Sequence, residues 1–471
     1  MALLLVLLKA ALVSAGSPRS SSIEFREVSA GSPRSSSLRP LAGPPPLPSA
    51  GCGTPMKWPA GTPNLITLPI DDPLLFNPFR EMFVYTPVGY DNSVPLPVVY
   101  SFHGYYSDAA TKMTDDHFMW KIEDDLKAKA EQGFIVVWGQ GMGDCAKGGV
   151  TNCYATDART WNIWGQSESP GPRGHTCDQH RSRFGRYGCY TSCRIRANDS
   201  EISACFKDGG KNSTTPGYDH CHASTCANDT LYADVMMRTV ESTLCVDKRR
   251  QYVTGMSVGA MMAYWLAVHF SDRFAAALPV AGSALVGFWQ SPKFPMPLMD
   301  VHGTDDKTIP ANYSNGFVGH GENASSQPLK VPGCWSDSAF SDCGFSDDGF
   351  YYTSNYNITH GVATSNKCSC VGYGADCGVK NFRTVYSETD VGDTAKWTCF
   401  ESFGSCGMHP VVRCTWAGKH YLPIHGHARG VNTTMQEAKR FFANVAWEFL
   451  SKFAIEPGSD KERSLLGLEP I

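Results

Sequence analysis

The sequence predicts an α/β chain built on a mostly parallel sheet, and three observations carry that prediction. The runs 98–102 (VVYSF) and 134–138 (FIVVW) are almost continuously apolar, as strands covered on both faces must be. Segments of helical spacing alternate with them: Phe118, Ile122, Leu126 and Ala130 in one, and Leu231, Val235, Met236, Thr239, Val240 and Leu244 in another. Between the β-prone run 251–254 and the strong helix former 261–269 lies Gly255-Met-Ser-Val-Gly259, a G-x-S-x-G turn in strand–turn–helix context.

The chain has 471 residues, 42% of them hydrophobic, with a formal charge of −4 and a pI near 6.4. That is ample for a large core, and without a long basic run it gives no reason to expect nucleic acid or an anionic membrane as partner. Residues 1–15 (MALLLVLLKAALVSA) read as a secretory signal, too short to span a bilayer. Residues 16–50 are rich in Ser, Pro and Gly and repeat VSAGSPRSSS unchanged at 13–22 and 28–37, so they read as a disordered linker. The globular domain is expected over 51–455, with a tail at 456–471.

All 18 cysteines follow residue 51, and Asn-x-Ser/Thr sequons occur at Asn198, Asn212, Asn228, Asn312, Asn323, Asn357 and Asn432. Both features point to a secreted, disulfide-bonded glycoprotein. Eight cysteines fall in 145–226 and eight in 334–414, leaving Cys52 and Cys245. Two disulfide-rich inserts, about 140–228 and 320–410, are therefore expected to emerge beside the site as a lid or substrate platform. Asp219, His220, Cys221 and His222 with Cys226 lack the paired C-x-x-C spacing of a zinc site, so no metal is expected.

The chemistry gathers at strand ends. Ser257 sits on the sharp turn, where flanking glycines avoid collisions with neighbouring strands and the following helix aims its amino end at the site. The backbone N–H of Val258 can meet a developing oxyanion, and the strand 98–102 ends in His103-Gly104-Tyr105-Tyr106, where the N–H of Tyr105 supplies a second donor. The strand 297–302 (PLMDVH) runs into Gly303-Thr-Asp305-Asp306, a place for a triad acid. The strand 411–416 leads through Ala417-Gly-Lys to His420, with His425 and His427 further along, and a helix capped at Thr434 follows. His420 is the expected base.

The GCGTP start, FVYTPVGYDNSVPLPVVYSFHGY, GFIVVWGQG, Trp161-Asn162, CVDKRRQYVTGMSVGAMMAYWLA, DRFAAALPVAG and HGTDDKTIP resemble the secreted feruloyl esterases and the related polyhydroxybutyrate depolymerase and acetylxylan esterase group. The resemblance covers roughly 51–455 outside the inserts. It implies an α/β-hydrolase fold and a triad of Ser257, Asp306 (the second carboxylate of HGTDD) and His420, with Trp161 and Tyr106 at the substrate. It implies a serine esterase acting on an ester, polymeric or polymer-derived, with no cofactor. A polyhydroxyalkanoate depolymerase, an acetylxylan esterase, or a secreted cysteine-rich binding protein on an inactive scaffold are the alternatives.

Overall fold

The computed structural model describes residues 43–71, 79–105, 107–109, 130, 133–142, 159–163, 170–171, 174–175, 228–284, 289–303, 306, 308–309, 343–345, 351–353, 355–370, 380–381, 398–401, 403–416, 420 and 445–469. The proposed signal segment, most of the linker, Tyr106, Asp305, His425, His427, the zinc-like cluster and the helix expected over 118–130, save Ala130, lie outside them. The described residues belong to the compact unit Pro40–Ile471.

A ten-stranded sheet forms the frame, in the order β1-β2-β4-β3-β7-β8-β9-β14-β13-β12. Its strands are β1 (Asn64–Pro69), β2 (Phe79–Tyr85), β3 (Leu96–Phe102), β4 (Ile135–Gly139), β7 (Val246–Met256), β8 (Ala276–Val280), β9 (Leu298–Gly303), β12 (Lys380–Asn381), β13 (Thr398–Glu401) and β14 (Val411–Trp416). Two small hairpins stand apart from it, β5 (Pro170–Gly171) with β6 (Gly174–His175) and β10 (Cys343–Phe345) with β11 (Tyr351–Thr353). The six strands from β4 to β14 are mutually parallel, and β1, β2, β12 and β13 add antiparallel edges. Parallel strands require crossovers, and the helices that make them cover the sheet.

The two-residue period of a strand explains the double core. Val98, Tyr100 and Phe102 of β3 face one apolar layer with α1 (Asp229–Thr243) and α2 (Val258–His269), while Val99 faces the other with the helical segment 445–450. Every residue of α2 from Val258 to Ala267 is buried, because the helix lies between the sheet and further layers rather than at the surface. Asn228 caps α1 by accepting the N–H of Leu231 at 2.9 Å.

The structure departs from the sequence expectations in three places. β12 and β13 lie within the second cysteine-rich insert yet extend the main sheet, and α3 (Asn355–Ser365) packs against β9 and β14. That part of the insert is framework, because its strand and helix complete the sheet edge and its cover. The expected tail is docked: Glu462 of α4 (Asp460–Leu465) pairs with Arg249 of β7. The linker's end is docked as well, with the Leu47 N–H donating to Asp247 Oδ1 at 2.9 Å and Ser49 Oγ to the Leu244 carbonyl at 2.7 Å.

Candidate active site

β7 ends at Met256 and α2 begins at Val258, leaving one residue to reverse the chain. That residue is Ser257, at φ 57° and ψ −126°, a left-handed conformation disfavoured for any side chain with a Cβ. The turn is held from three sides: the Ser257 N–H donates to Val280 of β8 at 2.9 Å, and its carbonyl accepts from Ala260 and Met261 at 2.9 and 3.0 Å. Both glycines are sterically required. A Cβ at Gly259 would collide with the carbonyl oxygens of Phe102 and His103, and one at Gly255 with the carbonyl of Gly259. The carboxyl end of β3 thus lies directly against the start of α2.

His420, beyond β14, brings its Nε2 to 2.8 Å from Ser257 Oγ and its Nδ1 to 2.7 Å from Asp306 Oδ2. Asp306 follows β9, and its Oδ1 accepts the N–H groups of Thr308 and Ile309, each at 2.9 Å. Burial works against its charge. The neighbouring His420 and the hydrogen bonds from His302 and His420 outweigh that penalty and hold its pKa at about 2. Three residues up to 163 positions apart in sequence therefore meet because the parallel strands β7, β9 and β14 end on the same edge.

The second shelf of the site is the end of β3. His103 Nδ1 donates to the Gly104 carbonyl at 2.8 Å, and its Nε2 accepts the Gly141 N–H at 2.9 Å, which ties the chain after β3 to that after β4. Tyr105 is half-buried at this corner, and Val258 is buried at the first turn of α2. Trp161 is a correction. Rather than lining a cleft it is fully buried, with Nε1 donating to the His103 carbonyl at 2.8 Å and its ring edge-on to Phe102. Its indole is consumed in fixing the β3 corner, so it has no face left for substrate.

Two residues that the sequence reading passed over join the site. His302 Nε2 lies 3.1 Å from Asp306 Oδ2, and Asn355 Nδ2 lies 2.9 Å from His302 Nδ1. The signal was present only as a histidine at a strand end four residues before the acid. A separate cavity touches Ala275, Pro297, His409 and Lys461, residues at the amino ends of β8, β9 and β14 or on α4, and none of the three residues above lines it.

No known family profile matches the chain. A probable feruloyl esterase C of Aspergillus niger is 31% identical over 113 residues, which is 23% of this chain and 40% of that protein. Feruloyl esterase B of Piromyces equi is 29% identical over 125 residues, 26% of this chain and 23% of that protein. The chain thus matches less than half the length of these curated relatives. Among solved structures, an acetyl xylan esterase from Aspergillus awamori aligns over 83% of this chain and 100% of its own at 14% identity and a TM-score of 0.37. The sheet runs 1-2-4-3, continues through β7, β8, β9 and β14 in sequence order before β13 and β12 close its edge, and turns at a central strand on a strained serine: the chain has an α/β-hydrolase fold, and about a quarter of it is similar in sequence to feruloyl esterases.

Proposed function

We propose that the chain is a carboxylic ester hydrolase that works through an acyl-enzyme on Ser257. The observation that carries this is the pair of distances at His420, with one ring nitrogen at the serine and the other at a buried carboxylate. With Nδ1–H donating to Asp306, Nε2 is free to take the Ser257 proton as Oγ bonds to the ester carbonyl carbon. The oxyanion meets the N–H groups of Val258 and Tyr105, a reading supported by the close approach of the β3 end to the elbow. The imidazolium then protonates the leaving alcohol as the C–O bond breaks. Water attacks the acyl carbon, gives its proton to His420, and Ser257 leaves with that proton restored.

The substrate class is a feruloyl-type or related acyl ester on a polysaccharide, since feruloyl esterases are among the relatives. An acetylated xylan is the second reading, favoured by a bifunctional acetylxylan esterase/xylanase of Neocallimastix patriciarum that is 27% identical over 90 residues. Export from the cell belongs to the same proposal, supported by disulfides Cys52–Cys245, Cys368–Cys406 and Cys399–Cys414. The test is purified full-length chain assayed on methyl ferulate, acetylated xylan and a polyhydroxyalkanoate film, with a fluorophosphonate as active-serine probe. Methyl ferulate turnover and labelling, both abolished in Ser257→Ala, are expected. A chain that labels nowhere and turns over none of the three would make it a binding protein on a hydrolase scaffold.

A further inference from the structure

We propose that His302 is a positioning residue for the Ser257–His420–Asp306 set: its Nε2–H is a second donor to the same carboxylate oxygen that receives His420, and Asn355 fixes which nitrogen of His302 carries that proton. The proposal rests on the esterase reading above and extends it to the residues behind the acid.

The hydrogen-bond inventory of Asp306 is full. An ionised carboxylate offers about four acceptor sites. Oδ1 receives Thr308 and Ile309, and Oδ2 receives His420 Nδ1 at 2.7 Å and His302 Nε2 at 3.1 Å. Rotating the carboxylate to a new angle breaks at least one of these, so its orientation toward His420 is fixed from behind. His302 Nε2 also lies 2.6 Å from the Ile309 carbonyl. A nitrogen facing two acceptors must carry hydrogen.

The tautomer is set on the other side of the ring. Asn355 Nδ2 approaches the Gly282 carbonyl at 3.3 Å, Asp300 Oδ1 at 2.7 Å and His302 Nδ1 at 2.9 Å. The first two partners are acceptors, so this amide atom is the nitrogen and not the oxygen. It donates to Nδ1, which leaves the proton on Nε2 where Asp306 needs it. Around the ring stand Asp300 on β9, Tyr264 on α2, which donates to Asp300 at 2.7 Å, and Arg413 on β14, opposite Asp300 in the sheet register. Burial pulls His302 toward neutrality, while the hydrogen bond and charge of Asp306 more than reverse that and raise its pKa. Burial also raises Asp300, the next acid along the line.

The discriminating experiment measures kcat and KM on methyl ferulate and the fluorophosphonate labelling rate of Ser257 against pH, in wild type, His302→Leu and His302→Gln. Leucine removes the donor, whereas the glutamine amide carries two hydrogens where Nε2 stood, one for Asp306 and one for Ile309. His302→Leu is expected to lose roughly 10- to 100-fold in kcat with KM little changed. The acidic limb of its rate profile should move up by about half a pH unit or more, because a carboxylate relieved of one donor holds the neighbouring imidazolium proton more tightly. His302→Gln should recover most of both. A Leu variant with wild-type rate and profile, or a Gln variant as impaired as Leu, overturns the positioning role. A wild type that leaves Ser257 unlabelled overturns the triad reading itself, and the positioning role with it. If His302→Leu does not fold, ¹⁵N NMR of histidine-labelled wild type, assigned with His302→Gln, reads the tautomer directly: a bare Nδ1 is expected, and a protonated Nδ1 with a bare Nε2 refutes the proposal.

Discussion

Ser257 occupies backbone that costs on the order of 1–3 kcal/mol, and three backbone hydrogen bonds hold it there, one to Val280 of β8 and two from the first turn of α2. At the same scale, Asp306 carries a pH prediction. Its folded pKa, about 2, lies below the ordinary 3.8, so its stabilising contribution is complete above pH 4 and is lost as pH falls through 2. Roughly 2 kcal/mol is at stake. Asp306→Asn should therefore flatten the fall in urea-measured stability between pH 4 and 2, and cost up to ~10⁴-fold in kcat at neutral pH through a misdirected imidazole. Trp161→Phe tests the correction made above. It removes one buried hydrogen bond to His103, so stability should drop by about 1–2 kcal/mol, and a large rise in KM without that drop would restore a substrate role. Ser257 and His420 were legible in the sequence because an elbow and a strand end announce them, whereas the strand end before Asp305 and Asp306 offered both carboxylates and the resemblance at HGTDD selected Asp306. Trp161 was not, since a tryptophan beside a strand reads the same whether its ring faces a core or a cleft. His302 and Asn355 were invisible as a pair because 53 positions separate them and only the packing of α3 on β9 brings them together.

At the scale of elements, sequence period served best where burial is uniform. β3, β4 and β14 fall within two residues of their apolar runs, whereas β7 proved to be 11 residues long, its first half carrying the charged Asp247, Lys248, Arg249 and Arg250 that hid it. Those charges are tolerated because Arg250 pairs with Asp247 and Arg249 with Glu462. β12 and β13, of two and four residues, gave no period to read. A second hidden pair joins β2 to α1: Arg80 Nη2 meets Asp229 Oδ1 at 2.7 Å, both buried, with the Asn162 N–H on Oδ2 and Tyr232 under the guanidinium. Arg80→Met leaves that carboxylate without its counter-charge and should lower stability by about 3–5 kcal/mol, while Arg80→Met with Asp229→Leu should recover part of the loss. Chemical denaturation of the four members of this cycle decides it. A double variant that loses the sum of the two single losses would mean that the pair is not coupled.

For the whole molecule, both ends of the described unit clasp the start of β7. Leu47 and Ser49 come from one side, and Glu462 with the Ile455 N–H, which donates to the Arg249 carbonyl at 2.9 Å, from the other. Deleting 456–471 strips Arg249 of its partner, and the thermal midpoint should fall by roughly 5 °C or more. A midpoint within a degree of wild type would show that the end is dispensable. Cys52–Cys245 fastens the same region covalently, joining residues 193 positions apart immediately before β7. In the chain-entropy view a loop of that size is worth up to about 5 kcal/mol. It also governs how the chain responds to a protease. Any single cut between Cys52 and Cys245 yields two pieces that stay one covalent molecule, so nicking there should change a gel pattern only under reduction, and where the cut falls after β3 the bridge keeps the β3 shelf of one piece tied to the strand that carries Ser257 on the other.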